Sequence, residues 1–306
     1  MDASARPRTH PTAPSLNDCL HTGPLLLKDL TGVLLRFRRM EAVILADIEK
    51  AFLQLGVREQ DRDATRFLWL TAPTETNLDA VSREHIIIYR FCRVSFGLTV
   101  SPFLLNATLR EHLALFDSEV ARRIEENLYV DHILFEAKPG EDIGQLLQEA
   151  KSIFQNASMR LREFFSGNPK DLETLPEDDL AKHQDHTKVL GISWKPKHNH
   201  IVFKLPFFDG PITKRGVLSQ IAKVYDPLGL TSPALLPAKE FLQSVQNLNP
   251  KWDDPLPNDF QERWVKLMRT WQCDGEPVEI VFPRHIPTKD DEFHCFCDAS
   301  MSYNFV

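Results

Sequence analysis

The residues best suited to chemistry in this chain are two carboxylates, each next to an apolar strand-like run. Asp131 lies inside the run from Asn127 to Phe135, with apolar residues on both sides of it. This pattern predicts two short strands joined by a tight turn at Val130-Asp131-His132. Asp47 ends a second such run, which begins at Val43. A carboxylate at the end of a strand is held out from the sheet, where it can bind a metal ion.

Two such carboxylates on adjacent strands would form a site for divalent cations. Mg²⁺ prefers one or two carboxylates together with water and substrate phosphates. Two ions about 3.5–4 Å apart can activate an attacking hydroxyl and stabilise a leaving pyrophosphate. His132 stands beside Asp131, where a third carboxylate would help to hold the ions. Because imidazole suits softer metals, the sequence predicts a weakened site for Mg²⁺, with Mn²⁺ as a second possible ion.

Strands and helices must hold these carboxylates in place. The hydrophobic pattern predicts strands at 43–46, 66–70, 86–91, 188–194, 201–204 and 293–298, and helices at 25–40, 101–116, 119–126, 143–157, 213–225, 234–247 and 258–272. Ser101 is predicted to N-cap the helix that Pro102 begins. The polar stretch 166–187 is predicted to be a linker. We therefore expect an α+β fold, with antiparallel sheet and helices in the first part and mostly helices in the second.

The charge of the chain is uneven. Its 306 residues, 42% hydrophobic and 26% charged, suit two or three globular domains. The net charge of −7 does not suggest a nucleic-acid binder. Between residues 186 and 224, however, seven basic residues stand against the single acid Asp209. This stretch could contact phosphates, or it could be the solvated face of a hairpin.

Cysteine use and hydropathy bear on where the protein resides. The five cysteines are scattered and odd in number, which favours a reduced, intracellular protein over a secreted disulfide framework. The first residues contain no apolar signal core, and no apolar run of 18 residues occurs in the sequence. We therefore expect neither secretion nor a membrane partner.

Several motifs in order resemble the palm of reverse transcriptases. They are Asp47 with Phe52 five residues later, Phe96-Gly97 before a helix begun by proline, and Tyr129-Val130-Asp131. The surrounding sequence is similar to the polyproteins of BEL/Pao-type LTR retrotransposons, from about residue 13 to the end. The similar segments are Ser15–Leu20, Asp47–Phe52, Arg66–Trp69, Ser101–Thr108 and Asp226–Leu230.

The resemblance implies a right-hand polymerase palm, an antiparallel sheet backed by helices, followed by a mostly helical thumb and connection. It divides the chain into truncated fingers or entry segment (1–40), palm and fingers (41–165), linker (166–187), primer-grip hairpin with thumb and connection helices (188–275), and the start of a truncated ribonuclease H-like domain (276–306). It also implies an RNA template, a DNA primer and dNTPs as partners. The peptidase, ribonuclease H and integrase of a polyprotein are implied too, in the cytoplasm or a virus-like particle.

The resemblance also assigns roles to residues. Asp47 and Asp131 would be catalytic metal ligands, with His132 in place of the usual second Asp. The nucleotide would meet Ile48, Phe52, Phe96 and Gly97, and Phe52 would be the steric gate that disfavours a 2′-hydroxyl. Template or primer would contact a further set of residues: Tyr129, Leu190, Gly191, Trp194, Lys195 and Lys197.

Three departures from the family pattern predict a polymerase fold with weak or absent activity. His132 replaces an acid, and Ser95 replaces a proline before Phe96. The third is the fingers, which the resemblance implies are truncated at the front, so that the residues that would hold the nucleotide's phosphates are not assigned. The alternative is a catalytically dead remnant that at most binds nucleic acid through 186–224.

Three other functions fit the sequence less well. An aspartic peptidase needs an Asp-Thr/Ser-Gly loop, which the sequence lacks. Zinc ligation is disfavoured because the candidate sets lack suitable partners or alternate across a strand. These sets are His183, His186, His198 and His200, and His294, Cys295 and Cys297. Ribonuclease H activity is not expected, since Asp298 would be the only one of its acids present.

Overall fold

The computed structural model describes residues 2–6, 8–70, 86–182 and 187–287. These residues form helices and antiparallel sheets, so the predicted α+β class is confirmed. Within these ranges, no helix combines the length and the apolar character that crossing a membrane requires. The strand predicted at 293–298, with Asp298, lies outside the described residues, as do His183 and His186.

The helices are α1 (Leu16–Cys19), α2 (Leu30–Arg39), α3 (Ala51–Gln54), α4 (Ser101–Leu113), α5 (Glu119–Asn127), α6 (Ile143–Asn156), α7 (Lys214–Ala222), α8 (Ser232–Leu248) and α9 (Asn258–Arg269). The strands are β1 (Val43–Ile48), β2 (Arg66–Leu70), β3 (Ile86–Arg90), β4 (Leu128–Tyr129), β5 (His132–Glu136), β6 (Leu161–Ser166), β7 (Thr187–Val189), β8 (Ile192–Lys195), β9 (His200–Lys204), β10 (Gln272–Cys273), β11 (Glu276–Pro277) and β12 (Glu279–Pro283).

The first sheet has the order β4-β5-β1-β6 and is covered on both faces. Side chains alternate across a strand, so neighbouring residues of β1 enter different cores. Ile44, Ala46 and Ile48 pack in one hydrophobic cluster with α4, α5 and α6. Val43 belongs to a second cluster, which includes α2 and the strands β7, β8 and β9. The central strand β1 is therefore fixed from both sides, and its carboxyl end with it.

The second sheet has the order β12-β9-β8-β7, and helices α7, α8 and α9 pack beside it. Trp264 and Trp271 are almost fully buried among these helices. Strand β12 was not predicted, because the division of the chain placed residues 276–306 in a separate domain. Its residues pair with β9 from Glu279↔Lys204 to Pro283↔His200, so the predicted boundary at 275 falls four residues before a strand of this sheet.

Most of the predicted elements are present, including the hairpin of β2 and β3 and the helices at 119 and 143. Thr213 caps α7 as expected, since its side chain accepts a hydrogen bond from the Gly216 N–H. The helix ends at Ala222, however, not at Tyr225. Ser101 is the first helical residue, and the N-cap position belongs to Val100.

Two predicted segments differ more substantially. The described part of the 166–187 linker is folded, because Leu172 enters the core and Asp179, which is 3% exposed, pairs with Lys151 and Arg160. The single strand predicted at 188–194 is two strands. A turn at Leu190 and Gly191, with φ of 48° and 91°, separates β7 from β8.

Candidate active site

Strand pairing places Asp47 and Asp131 at the same end of the first sheet. Asp47 lies opposite His132 in the antiparallel pairing of β1 with β5. The Ile48 N–H donates a 2.9 Å hydrogen bond to the carbonyl oxygen of Asp131. The strand that carries one carboxylate is thus tied to the turn that carries the other.

The turn itself is tighter than the sequence predicts. Tyr129 pairs directly with His132, so Val130 and Asp131 alone form the loop and His132 begins β5. Val130 has a φ of 59°, which is unusual for a β-branched residue, and φ is not positive at Asp131. A positive φ at the first loop residue alone is typical of a type II′ hairpin turn. Such strain costs about 1–3 kcal/mol and clusters at functional sites.

The His132 imidazole lies between the two carboxylates. Its Nδ1 is 2.9 Å from Asp131 Oδ1, and its Nε2 is 3.6 Å from Asp47 Oδ1. The hydrogen bond with Asp131, followed by the negative charges of Asp47 and Asp131, raises the pKa of His132 above its usual value. The ring is therefore favoured as an imidazolium that partly neutralises both acids.

Asp47 lines a cavity of about 70 Å³ together with His132, Glu163 and residues of the 187–190 segment. The pKa of Asp47 is raised to about 6, chiefly by burial and also by the charges of Asp131 and Glu163, against the opposing effect of His132. The site thus has an excess of negative charge that one imidazole does not remove.

Glu163 was not among the predicted site residues. It lies in β6 at a bulge, where the pairing of β1 with β6 shifts between Leu45↔Phe165 and Asp47↔Arg162. Its φ of 55° belongs to the left-handed region. A bulge adds one residue to one strand and redirects a side chain, and no residue pattern in the sequence marks this one.

The donor chemistry of Asp47 and Asp131 fits a hard divalent cation, since both offer carboxylate oxygens. Two protein carboxylates suffice only if water and the phosphates of a nucleotide complete the coordination. Across the described ranges, no group of three or more His, Cys, Asp or Glu side chains is arranged to hold a metal ion. His198 and His200 stack on each other, with ring centroids 6.1 Å apart, and belong to no such group.

The residues predicted to meet the nucleotide lie close together, with one correction. Phe52 is 8% exposed, and its ring lies 5.0 Å from Phe96 in an edge-to-face contact. Phe96 is 62% exposed and is followed by Gly97, whose φ is 89°. The side chain of Ile48 is 2% exposed and packs in the core, so only its backbone is available to this site.

Side-chain hydrogen bonds hold the turn at 95–99. One of these side chains, Asn17, was not predicted to contact the turn. Asn17 Nδ2 donates to the Gly97 carbonyl at 2.9 Å, and Asn17 Oδ1 accepts from the Thr99 N–H at 3.0 Å. Ser101 Oγ donates to the Ser95 carbonyl at 2.8 Å. The buried Ser95 hydroxyl, where the family pattern has proline, finds no partner in the described part of the chain. Asn17 belongs to the motif Ser15-Leu16-Asn17-Asp18, but the motif did not predict its contact with Gly97, 80 residues later.

The predicted template and primer residues fall into two groups. Leu190 lines the cavity at Asp47, and Gly191 follows it in the turn before β8. A Cβ on Gly191 would lie 2.6 Å from Tyr225, so this turn requires glycine for space as well as for its φ.

The second group is part core and part surface. Trp194 is 2% exposed and meets Phe37 and Phe165 edge-on at 5.5 and 5.6 Å, so its side chain packs in the core and is not available to contact nucleic acid. Tyr129 is half-buried and packs against the same cluster. Lys195 and Lys197 line a separate, larger cavity.

Comparison with protein families identifies the chain. Residues 13–164 match the family model described as reverse transcriptase (RNA-dependent DNA polymerase). Residues 213–304 match the model described as Pao retrotransposon-like RNaseH-like domain. The chain belongs to the reverse transcriptases of Pao-type retrotransposons. No curated protein matches it.

Among solved structures, this Pao-type reverse transcriptase is similar to the foamy viral protease-reverse transcriptase in complex with an RNA/DNA hybrid. The identity is 13% and the TM-score 0.45, with 80% of this chain and 29% of that one covered. It is also similar to the dRH form of the foamy viral protein in complex with ds DNA. There the identity is 15% and the TM-score 0.49, with 81% and 38% of the two chains covered. The chain therefore spans less than two fifths of either structure.

The second family match differs from the predicted division of the chain. It begins at 213, next to the start of α7, and so includes the helices that the resemblance assigned to a thumb and connection. The prediction begins the ribonuclease H-like part at 276 instead. Strand β12 lies within this match but completes the sheet that β7, β8 and β9 begin.

Proposed function

We propose that this chain is an RNA-directed DNA polymerase that extends a DNA primer on an RNA template with dNTPs. The observation that carries the proposal is the placement of Asp47 and Asp131 at one end of paired strands, joined by the bond from the Ile48 N–H to the Asp131 carbonyl. Two carboxylates held this way can position the cations that phosphoryl transfer requires.

In this proposal, Asp47 and Asp131 would hold Mg²⁺ or Mn²⁺. When bound as a pair, such ions would supply activation of the attacking hydroxyl and stabilisation of the leaving pyrophosphate. Phe52 contacts the exposed ring of Phe96 edge-on, and its ring would exclude a 2′-hydroxyl from the nucleotide. Gly97 allows the backbone to approach the base or the template closely. Leu190 and Gly191 would support the primer beside Asp47.

His132 is expected to lower activity for a geometric reason. Its Nδ1 is hydrogen-bonded to an oxygen of Asp131 that a metal ion would need, and its Nε2 lies near Asp47. When it is protonated, the imidazolium also repels a divalent cation. To bind metal, the chain must therefore break the hydrogen bond between His132 and Asp131.

Primer extension on poly(rA) with an oligo(dT) primer tests the proposal. We expect slow extension by the wild type, and extension faster by about tenfold to a hundredfold in His132→Asp, the usual span for a change in a metal site's surroundings. Asp47→Asn should abolish extension in both backgrounds. Equal rates for the wild type and His132→Asp would contradict the role given to His132. Absence of extension by His132→Asp, in Mg²⁺ and in Mn²⁺, would contradict the proposed activity.

A second function follows if the contact of His132 with Asp131 is never broken. The chain would then keep the fold and bind nucleic acid without extending a primer. The observation that favours this alternative is that one imidazole reaches both carboxylates. Salt-dependent binding of an RNA–DNA hybrid by the wild type, with no extension by the wild type while His132→Asp extends the primer, would support it over polymerisation.

A further inference from the structure

A cavity of about 840 Å³ lies between the second sheet and the end of α7. It begins at Gly191 and Tyr225, next to the turn predicted to support the primer. Its lining is rich in lysine and contains Lys188, Lys195, Lys197, Lys204 and Lys223. Among the described residues that line it, Glu279 is the one carboxylate.

Glu279 lies between two of these lysines. Its Oε2 is 2.8 Å from Lys195 Nζ, and its Oε1 is 2.9 Å from Lys204 Nζ. The strand pairing explains this position, because Glu279 on β12 lies opposite Lys204 on β9. The hydrogen bonds from Lys195 and then Lys204 hold the pKa of Glu279 below its usual value. The carboxylate therefore stays ionised, with one lysine on each oxygen.

Two lysines that share the oxygens of one anion form the arrangement in which a phosphodiester would bind. The carboxylate can be displaced, because its side chain is 34% exposed and those of Lys195 and Lys204 are 43% and 66% exposed. Ion pairs as exposed as these are weak. Lys188, on the same cavity wall, has no ion pair within the part of the chain that the structure describes.

We propose that the phosphate backbone of a bound nucleic acid enters this cavity, and that Glu279 competes with it for Lys195 and Lys204. Glu279 thereby lowers the affinity of the chain for nucleic acid and sets its salt dependence. The inference rests on the proposed function, since it takes nucleic acid as the ligand. The inference goes further than the proposed function, because it gives Glu279, a residue of the second family match, the role of weakening the binding of nucleic acid.

The test is the affinity for a fluorescently labelled RNA–DNA hybrid, measured by anisotropy over a range of salt concentrations and without dNTPs. Glu279→Gln removes the charge with little change in shape. Asp253→Asn is the matched control, because it removes the same charge from a residue that pairs with Arg215 outside the cavity. Glu279→Gln should bind roughly threefold to tenfold more tightly at low salt, with a salt slope steeper by about one to two ions. Asp253→Asn should stay within about twofold of the wild type, since one distant charge contributes little.

A triple variant makes the test specific to the cavity. When Lys195→Gln and Lys204→Gln are added to Glu279→Gln, affinity should fall to that of the wild type or below. Equal tightening by Glu279→Gln and Asp253→Asn would overturn the inference, as would a triple variant that keeps the gain, or no binding by any variant. Far-UV circular dichroism checks that each variant is folded. Failure of primer extension by a chain that passes this binding test would contradict the proposed polymerase activity alone.

Discussion

His132 Nε2 lies 3.6 Å from Asp47 Oδ1, so the residue after the hairpin turn reaches the carboxylate of the neighbouring strand. The pairing of β1 with β5 places the two residues directly opposite each other. The same ring is hydrogen-bonded to Asp131. The imidazole thus occupies the space between two acids in which a cation would sit.

This contact predicts how stability depends on pH. Burial raises the pKa of Asp47 to about 6, from 3.8 in the unfolded chain, so its ionisation costs stability as pH rises through that range. Asp47→Asn has no charge to bury. At pH 8, with EDTA present, we expect it to be more stable than the wild type by about 1 kcal/mol, a value discounted because the Asp47 side chain is 34% exposed.

At pH 4, where most of Asp47 is protonated in the folded state, Asn and Asp should give similar melting temperatures. The gain in stability of Asp47→Asn at pH 8 is reduced by the loss of the contact between Asp47 and His132. The raised pKa of His132 itself favours the folded state at low pH. Thermal melts followed by circular dichroism at both pH values measure the difference. A difference that does not change with pH would contradict the raised pKa.

Metal binding should improve when the imidazole is replaced. His132→Asp removes the competing ring and adds hard oxygen ligands, so we expect affinity for Mn²⁺ to rise by about tenfold. Electron paramagnetic resonance of free Mn²⁺ measures this without a nucleotide or an assay of activity. His198→Asp, at an exposed position outside the site, controls for the charge change. If the two variants gain equally, the effect is general electrostatics and not the loss of the His132 contact.

The turn at Phe96 and Gly97 should depend on Asn17. The Asn17 side chain makes two hydrogen bonds to this turn, to the Gly97 carbonyl and from the Thr99 N–H. Each is worth about 1 kcal/mol, so Asn17→Ala should raise the KM for dNTP by roughly tenfold while kcat changes less. Measurement in the His132→Asp background gives enough signal. Asn168→Ala, which removes a cap far from the site, should lower stability without changing KM.

Features that depend on local pattern could be predicted from the sequence, and those that depend on pairing could not. The apolar runs around Asp47 and Asp131 gave the strands and the turn, because buried strands and tight turns have local composition signals. The position of His132 between the acids follows from the register of β1 against β5, which no single segment contains. Glu163 depends on a bulge in β6, and Asn17 on a contact 80 residues away. Trp194 differs from these two residues, because it was assigned to the site from its place in a motif, although its side chain is buried.

Arg284 joins the two family matches through the backbone of α2. Its side chain is 1% exposed, and its Nη1 and Nη2 donate to the carbonyls of Phe37, Met40 and Glu41. The Phe37 and Met40 oxygens lie at the carboxyl end of α2, where the helix dipole favours a cation. The pKa of Arg284 is lowered to about 10, chiefly by burial and also by the charge of Arg38, against the opposing charge of Glu136.

Replacing this guanidinium should destabilise the whole chain. Arg284→Met keeps much of the packing against Phe37 and Trp194 but leaves buried carbonyls without donors, so we expect a loss of roughly 3 kcal/mol and a drop of about 6 °C in Tm. Arg215→Met is the control, since its exposed pair with Asp253 contributes at most about 1 kcal/mol. Because Arg284 lies at the end of β12 and its partners adjoin β1, both family matches should unfold in one transition. Two separate transitions in the wild type, or equal losses for the two variants, would show that Arg284 does not tie these segments together.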